Sequence, residues 1–141
     1  MKLNSIEYLR NVGCNGIVSS PDSRKAFVVC RDQSLRGFDL ETGECQGIGL
    51  VHTRSVKTVS VSECGIYIAT GSYDRSILVW HSDSLTVRLP PLRNANSGIS
   101  CVQIYNSIIY SCSFDGFVSA WCVNTGKLNW SKSSLDSSQG K

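Results

Sequence analysis

With 141 residues, the chain has the length of a single domain. Hydrophobic residues make up 41% and charged residues 18%, enough apolar material for a packed core and too little charge for wholesale disorder. The formal charge of +3 is small and evenly spread and argues against a nucleic-acid partner. No stretch approaches the ~18 apolar residues of a membrane helix, and Met1–Arg10 lacks the apolar run of a signal peptide.

No segment carries helical apolar spacing over a useful length. In chain order, short runs rich in Val, Ile, Tyr and Ser alternate with turn residues and read as strands. The first unit has runs near Cys14–Ser19, Lys25–Cys30, Ser34–Asp39 and Glu44–Leu50. The second has Val56–Val61, Ile66–Gly71, Ser76–His81 and Leu85–Leu89. The third has Ile99–Ile104, Ile108–Ser113, Phe117–Cys122 and Lys127–Ser131. Turns repeat too: Ser20-Pro-Asp-Ser23, Ser62-Glu-Cys-Gly65 and Asn106-Ser107 each follow a first strand, with residues suited to tight turns. Leu3–Leu9 is a candidate outer or ring-closing strand, and the polar end reads as a loose tail.

Three aspartates punctuate this series. Asp32, Asp74 and Asp115 recur at a spacing of about 41 residues, each between the second and third runs of its unit. Four strands repeated at that period are the mark of a β-propeller blade. The motifs around the aspartates, "GSYDRSILVW" in the second unit and "SCSFDGFVSAWCVNTGK" in the third, resemble WD repeats, as does "SSPDSRKAFVVCRDQSLRGFDLETG" in the first. The resemblance runs from about Val12 to Trp130 and puts Trp80 and Trp121 at one fixed distance after their aspartates. The expected fold is therefore all-β, three consecutive four-stranded antiparallel blades of an incomplete WD-repeat propeller. Its expected parts are an N-terminal segment 1–10, repeats 11–50, 51–92 and 93–131, and a polar tail 132–141.

The family implies a buried hydrogen-bond network in each blade. A His before the first strand, a Ser or Thr on the second, the turn Asp and a Trp on the third take part, because a buried indole N–H needs an acceptor and a buried carboxylate needs donors. Carried over, the second repeat offers His52, Ser72, Asp74 and Trp80; the third offers Ser113, Asp115 and Trp121 with no His; the first offers Asp32, with Cys30 and Phe38 in the Ser and Trp positions. The last two are expected to be looser, their aspartates held by backbone or water. His52, Ser72 and Asp74 also invite a catalytic-triad reading. However, the Ser and Asp share one tight turn and the set partly recurs in the third repeat, which points to structure rather than catalysis.

Function on such a fold sits on rim loops. The family implies a partner surface at the residue preceding each turn Asp, here Arg31, Tyr73 and Phe114, and early in each first strand, here Asn15, Lys57 and Ser100. Aromatics and arginine are the types that dominate interface energetics. The expectation is a non-enzymatic scaffold binding other proteins or peptides, with a ubiquitin-ligase or chromatin adaptor reading a modified peptide as a narrower version. A propeller enzyme is disfavoured, since no inward carboxylate pair stands out.

The seven cysteines are odd in number and include no Cys-x-x-Cys. Cys30, Cys101, Cys112 and Cys122 lie in strand-like runs, where a thiol serves as a small hydrophobe. Reduced thiols indicate cytoplasm or nucleus. Only His52 and His81 could add imidazole, and no metal or other cofactor is expected. Because propellers have four to eight blades, three imply either a piece of a longer ring, completion by a second copy, or a stable open arc.

Overall fold

The structure is a computed structural model and describes residues 13–134. Leu3–Leu9 and the chain beyond Ser134 lie outside the described residues. Three antiparallel sheets follow one another along the chain and do not close, with no α-helix among the described residues.

Blade one is β1 (Cys14–Ser19), β2 (Lys25–Cys30), β3 (Ser34–Asp39) and β4 (Cys45–Leu50), in that spatial order. Its first turn closes on Ser20. The Ser20 N–H donates to Lys25 O at 2.8 Å, while its hydroxyl bonds Asp22 and accepts the Lys25 N–H. Blade two is β5 (Val56–Val61), β6 (Tyr67–Ser72) and β7 (Ser76–His81), followed by a broken outer strand. Where one strand over Leu85–Leu89 is expected, β8 (Thr86–Val87) and β9 (Leu92–Arg93) both pair with β7. Pro90 and Pro91 stand between them and have no N–H to offer the ladder.

Blade three is β10 (Ile99–Tyr105), β11 (Ile108–Ser113), β12 (Phe117–Cys122) and β13 (Leu128–Ser133). Asn106 and Ser107 join β10 to β11 with φ of 51° and 62°, the double left-handed conformation of a type I′ hairpin. The strand β13 extends into the expected tail, because Lys132 and Ser133 pair with Val118 and Phe117.

Alternation along each strand puts apolar residues on both faces, and blades stack face to face. Between blades one and two lie Phe27, Val29, Leu35, Ile68, Leu78 and Trp80. Between two and three lie Ile77, Val79, Val102, Ile104, Ile109 and Trp121. The stacking is close. A Cβ on Gly49 would come within 2.9 Å of Trp80 Cη2, so the outer edge of the indole's six-membered ring lies against bare backbone. Hydroxyls add polar joints: Thr58 and Ser60 on β5 accept the N–H groups of Val102 and Ile104 on β10, at 3.2 and 3.0 Å.

The first strand of every blade carries the same irregularity. Pairing of β1, β5 and β10 skips one residue just after the start, at Asn15, Lys57 and Ser100 respectively. These are β-bulges, which bend an edge and re-aim a side chain. Among the cysteines, all seven are free. Only Cys30 is a buried small hydrophobe; Cys101 and Cys112 are exposed despite their strand positions, because no blade among the described residues lies against the outer face of blade three.

Candidate functional site

The turn aspartates organise one end of the arc. In blade two, His52 Nδ1 lies 2.8 Å from Asp74 Oδ2, and its Nε2 lies 2.7 Å from Thr70 Oγ1. Trp80 Nε1 donates to that same Thr70 oxygen at 2.8 Å. Donors and acceptors match throughout when Nδ1 carries the proton, since the Thr70 hydroxyl can then donate to Nε2 while accepting from the indole. Asp74 also receives the Thr53 N–H, the Ser76 N–H and the Ser76 hydroxyl. Burial pushes the Asp74 carboxyl up, but the bonds from His52, Ser76 and Thr53 outweigh it and hold the group well below the usual carboxylate range.

The hydroxyl of this network is Thr70, in place of the expected Ser72. Ser72 is buried and bonded elsewhere. Its hydroxyl donates to the Arg54 and Ser55 carbonyls and accepts the Asp74 N–H. Both residues lie on the same face of β6, two apart, so alternation alone does not separate them. Trp80 pairs with Ile68, which puts its ring beside Thr70 at the next row. Blade three repeats the substitution: Trp121 Nε1 donates to Ser111 at 3.2 Å, while Ser113 bonds Asp115. With no His, Ser97 fills the loop side by accepting the Asp115 N–H at 2.9 Å. The Ser113 hydroxyl lowers the Asp115 carboxyl.

Blade one solves the problem by charge. Arg36 Nη2 sits 2.7 Å from Asp32 Oδ2, and the Ser34 N–H and hydroxyl both donate to Oδ1. Burial raises the Asp32 carboxyl, and the bonds from Ser34 and Arg36 lower it by more. The expected backbone support is present in the Ser34 N–H, and the Arg36 side chain and the Ser34 hydroxyl within the hairpin add to it. Phe38, at the Trp position, has no side-chain N–H to satisfy.

The residue before each aspartate is fixed by the same backbone bond. The N–H groups of Arg31, Tyr73 and Phe114 donate to Gly13 O, Ser55 O and Gly98 O at 2.8, 3.1 and 2.9 Å. This places the three side chains at equivalent points on one end. Tyr73 and Phe114 meet: their rings stack at 5.3 Å between centroids and 14° between planes, and they remain 40% and 51% exposed. Gly98 makes room, since a Cβ there would lie 3.0 Å from Tyr73 Cα and 3.2 Å from the Phe114 ring. Arg31 is exposed and lies along Gly13 instead.

The bulge residues divide. Asn15 crosses to blade two, donating to Ser55 Oγ at 2.9 Å and Val56 O at 2.7 Å, so it ties two blades together. Ser100 donates to Cys112 O within its own blade, and Lys57 is half-buried. The nearby Arg93 donates to Asp74 O at 3.1 Å.

An arc of bulged, four-stranded blades with a carboxylate-centred turn in each defines a propeller-type repeat protein. A model of the "WD domain, G-beta repeat" family matches residues 43–81. Human striatin-3 is 33% identical over 72 residues, which is 51% of this chain and 9% of that protein. Autophagy-related protein 16 of Arabidopsis thaliana is 29% identical over 130 residues, covering 89% of this chain and 25% of its own length. Among solved structures, U3-55K superposes with a TM-score of 0.83 at 22% identity, over 86% of this chain and 39% of the other. The WD40 repeats of RRP9 superpose with a TM-score of 0.81 at the same identity, over 86% of this chain and 38% of the other. The chain thus carries a WD-repeat match at residues 43–81 and shares the fold of WD-repeat propellers, and it spans about a tenth to two-fifths of the length of these relatives.

Proposed function

We propose that this chain is a non-enzymatic interaction scaffold whose contact surface is the end of the arc bearing Tyr73, Phe114 and Arg31. The observation that carries this is the stacked, half-exposed Tyr73–Phe114 pair. Two aromatics held in register by matching backbone bonds offer rigid apolar area at low entropic cost, the character of an interface anchor. The Asp74, Asp32 and Asp115 networks act beneath it as positioning elements. His52, Ser72, Trp80, Ser113 and Trp121 serve the structure in this reading, as do Asn15 and Ser100.

Arg31 and Arg75, exposed beside this surface, suit an acidic or phosphorylated segment, since guanidinium groups bind such anions in pairs of hydrogen bonds. An adaptor reading a modified peptide is the narrower form of the same proposal. The unpaired thiols support a reducing compartment, cytoplasm or nucleus.

The test is to select peptides against the purified chain from a random library and measure their affinity for Tyr73→Ala/Phe114→Ala. The double variant keeps its far-ultraviolet circular dichroism and loses at least ~100-fold in affinity. Peptides that bind both proteins equally overturn the proposal. Phosphorylated and unphosphorylated versions of the selected peptides decide the narrower form.

A further inference from the structure

The first two strands of every blade open on one pair of facing residues. Cys14 faces Cys30 in blade one, Val56 faces Ser72 in blade two and Ile99 faces Ser113 in blade three, each just before the bulge. In blades two and three an aliphatic residue thus meets a serine that serves the turn. Ser72 bonds the Arg54 and Ser55 carbonyls and the Asp74 N–H, and Ser113 bonds Asp115. Blade one has a thiol at both positions. Its Asp32 is held by Ser34 and Arg36 instead, so the bonds on that carboxylate do not depend on Cys30.

The geometry of this pair suits a bond between the sulfurs. The Sγ atoms of Cys14 and Cys30 lie 4.0 Å apart. The Arg31 N–H donates to Gly13 O at 2.8 Å, the bond that flanks a non-hydrogen-bonded pair in an antiparallel ladder. In such a pair the Cα atoms stand about 4.5 Å apart, within the range of roughly 4.4–6.8 Å that a disulfide spans. Side-chain rotation therefore closes the gap with the backbone in place. The two thiols differ in reactivity. Cys14 is exposed, whereas Cys30 is 1% exposed and burial pushes its thiol up. Both belong to the β1–β2 hairpin, and the contact between their sulfurs does not depend on what packs outside the blade.

We propose that Cys14 and Cys30 form a reversible redox-modification site, closed to a disulfide by a peroxide and reopened by a thiol reductant. The Cys14 thiolate attacks one peroxide oxygen, the O–O bond breaks, and Cys14 becomes a sulfenic acid as hydroxide leaves. The Cys30 sulfur then attacks Cys14 Sγ. The S–O bond breaks, and the oxygen leaves as water with the Cys30 proton. In sum the two thiols give up two electrons and two protons, and hydrogen peroxide becomes two waters. A reducing thiol reverses the bond by exchange through a mixed disulfide, as suits a bond that forms only transiently in a reducing compartment. The disulfide joins positions 16 apart and closes a loop around the Ser20 turn, which restricts the unfolded chain. It also pins the end of β2 from which Arg31 projects.

The experiment treats the full chain with hydrogen peroxide, alkylates the remaining thiols and maps the peptides by mass spectrometry. The expected product joins the peptides carrying Cys14 and Cys30, is two hydrogens lighter than the free peptides together, and is lost on treatment with dithiothreitol. The oxidised protein melts roughly 5–10 °C above the reduced one. Cys30→Ser places in blade one the residue that blades two and three carry, and Cys14→Val places that of blade two, so each variant keeps a side chain that the repeat already accommodates. Both lose the cross-link and the peroxide-dependent rise in melting temperature. In Cys30→Ser the Cys14 sulfenic acid persists and is trapped by dimedone, which labels the wild type only weakly. Cys101→Ser/Cys112→Ser, which removes another pair of cysteines facing each other across two strands, leaves the Cys14–Cys30 bond in place. Peroxide-treated wild type in which Cys14 and Cys30 stay separately alkylated, in which either is joined to a different cysteine, or in which Cys14 runs on to sulfinic acid overturns the proposal.

Discussion

Replacing Thr70 with valine removes one oxygen and keeps the shape of the side chain. That oxygen accepts the Trp80 indole N–H, and it also faces His52 Nε2 at 2.7 Å. Thr70 is fully buried and Trp80 nearly so, so water does not reach either orphaned group without disturbing the joint with blade one. Each stranded polar group costs about 1–3 kcal/mol, giving a loss of roughly 2–5 kcal/mol for Thr70→Val. For a chain of this size that lowers the melting temperature by on the order of 10 °C. Urea unfolding followed by far-ultraviolet circular dichroism measures it. Trp80→Phe removes the orphaned donor in advance, so the double variant Thr70→Val/Trp80→Phe should lose about 1–2 kcal/mol less than the sum of the singles. A Thr70→Val protein within ~0.5 kcal/mol of wild type, or strictly additive losses, refutes the assignment of Thr70 to the centre of the network.

The remaining expectations concern other contacts. Gly49→Ala drives a methyl group into the Trp80 ring and toward Leu85 O and costs about 1–3 kcal/mol by overpacking, measured by the same unfolding curve; an unchanged midpoint contradicts the packing described. Arg88 donates to Val123 O at 2.7 Å and Asn124 O at 2.8 Å and lies 4.7 Å over the Tyr67 ring. Arg88→Met therefore loses about 1–2 kcal/mol, with faster hydrogen exchange in the turn at 122–126. The Asp74 carboxyl is held below its unfolded value of about 3.9. Its contribution to stability is thus present above about pH 4 and is lost as the pH falls below that. Asp74→Asn is less stable than wild type at pH 7, and the gap narrows on acidification; a gap that widens toward pH 2 refutes the sign.

Much of this architecture is written locally. Period-two alternation and turn chemistry placed most strands to the residue, and Pro90-Pro91 carries in its own covalent structure the reason β9 is separate from β8. The β13 extension was not legible, because Lys132 and Ser133 are polar and become strand only through partners on β12. Arg36 was missed as the partner of Asp32 for a related reason. An arginine four residues on reads as a solvated strand residue until the hairpin brings it back across the turn.

The rim shows the same division. Equivalent repeat positions identified Arg31, Tyr73 and Phe114, but only packing brings Tyr73 and Phe114 into a stack and leaves Arg31 against Gly13. Asn15, Lys57 and Ser100 could be named from the repeat, yet their shared bulge, and the bond that commits Asn15 to the neighbouring blade, are products of pairing.

By itself, the sequence determined the repeat, the strand order within each blade and the aspartate at each turn, because alternation, turn propensity and spacing are local properties of the chain. The tertiary structure decided which of two hydroxyls on one strand face meets the buried indole, Thr70 rather than Ser72 and Ser111 rather than Ser113. Residues two apart on a strand are alike in every local respect and differ only in what the neighbouring strand sets beside them.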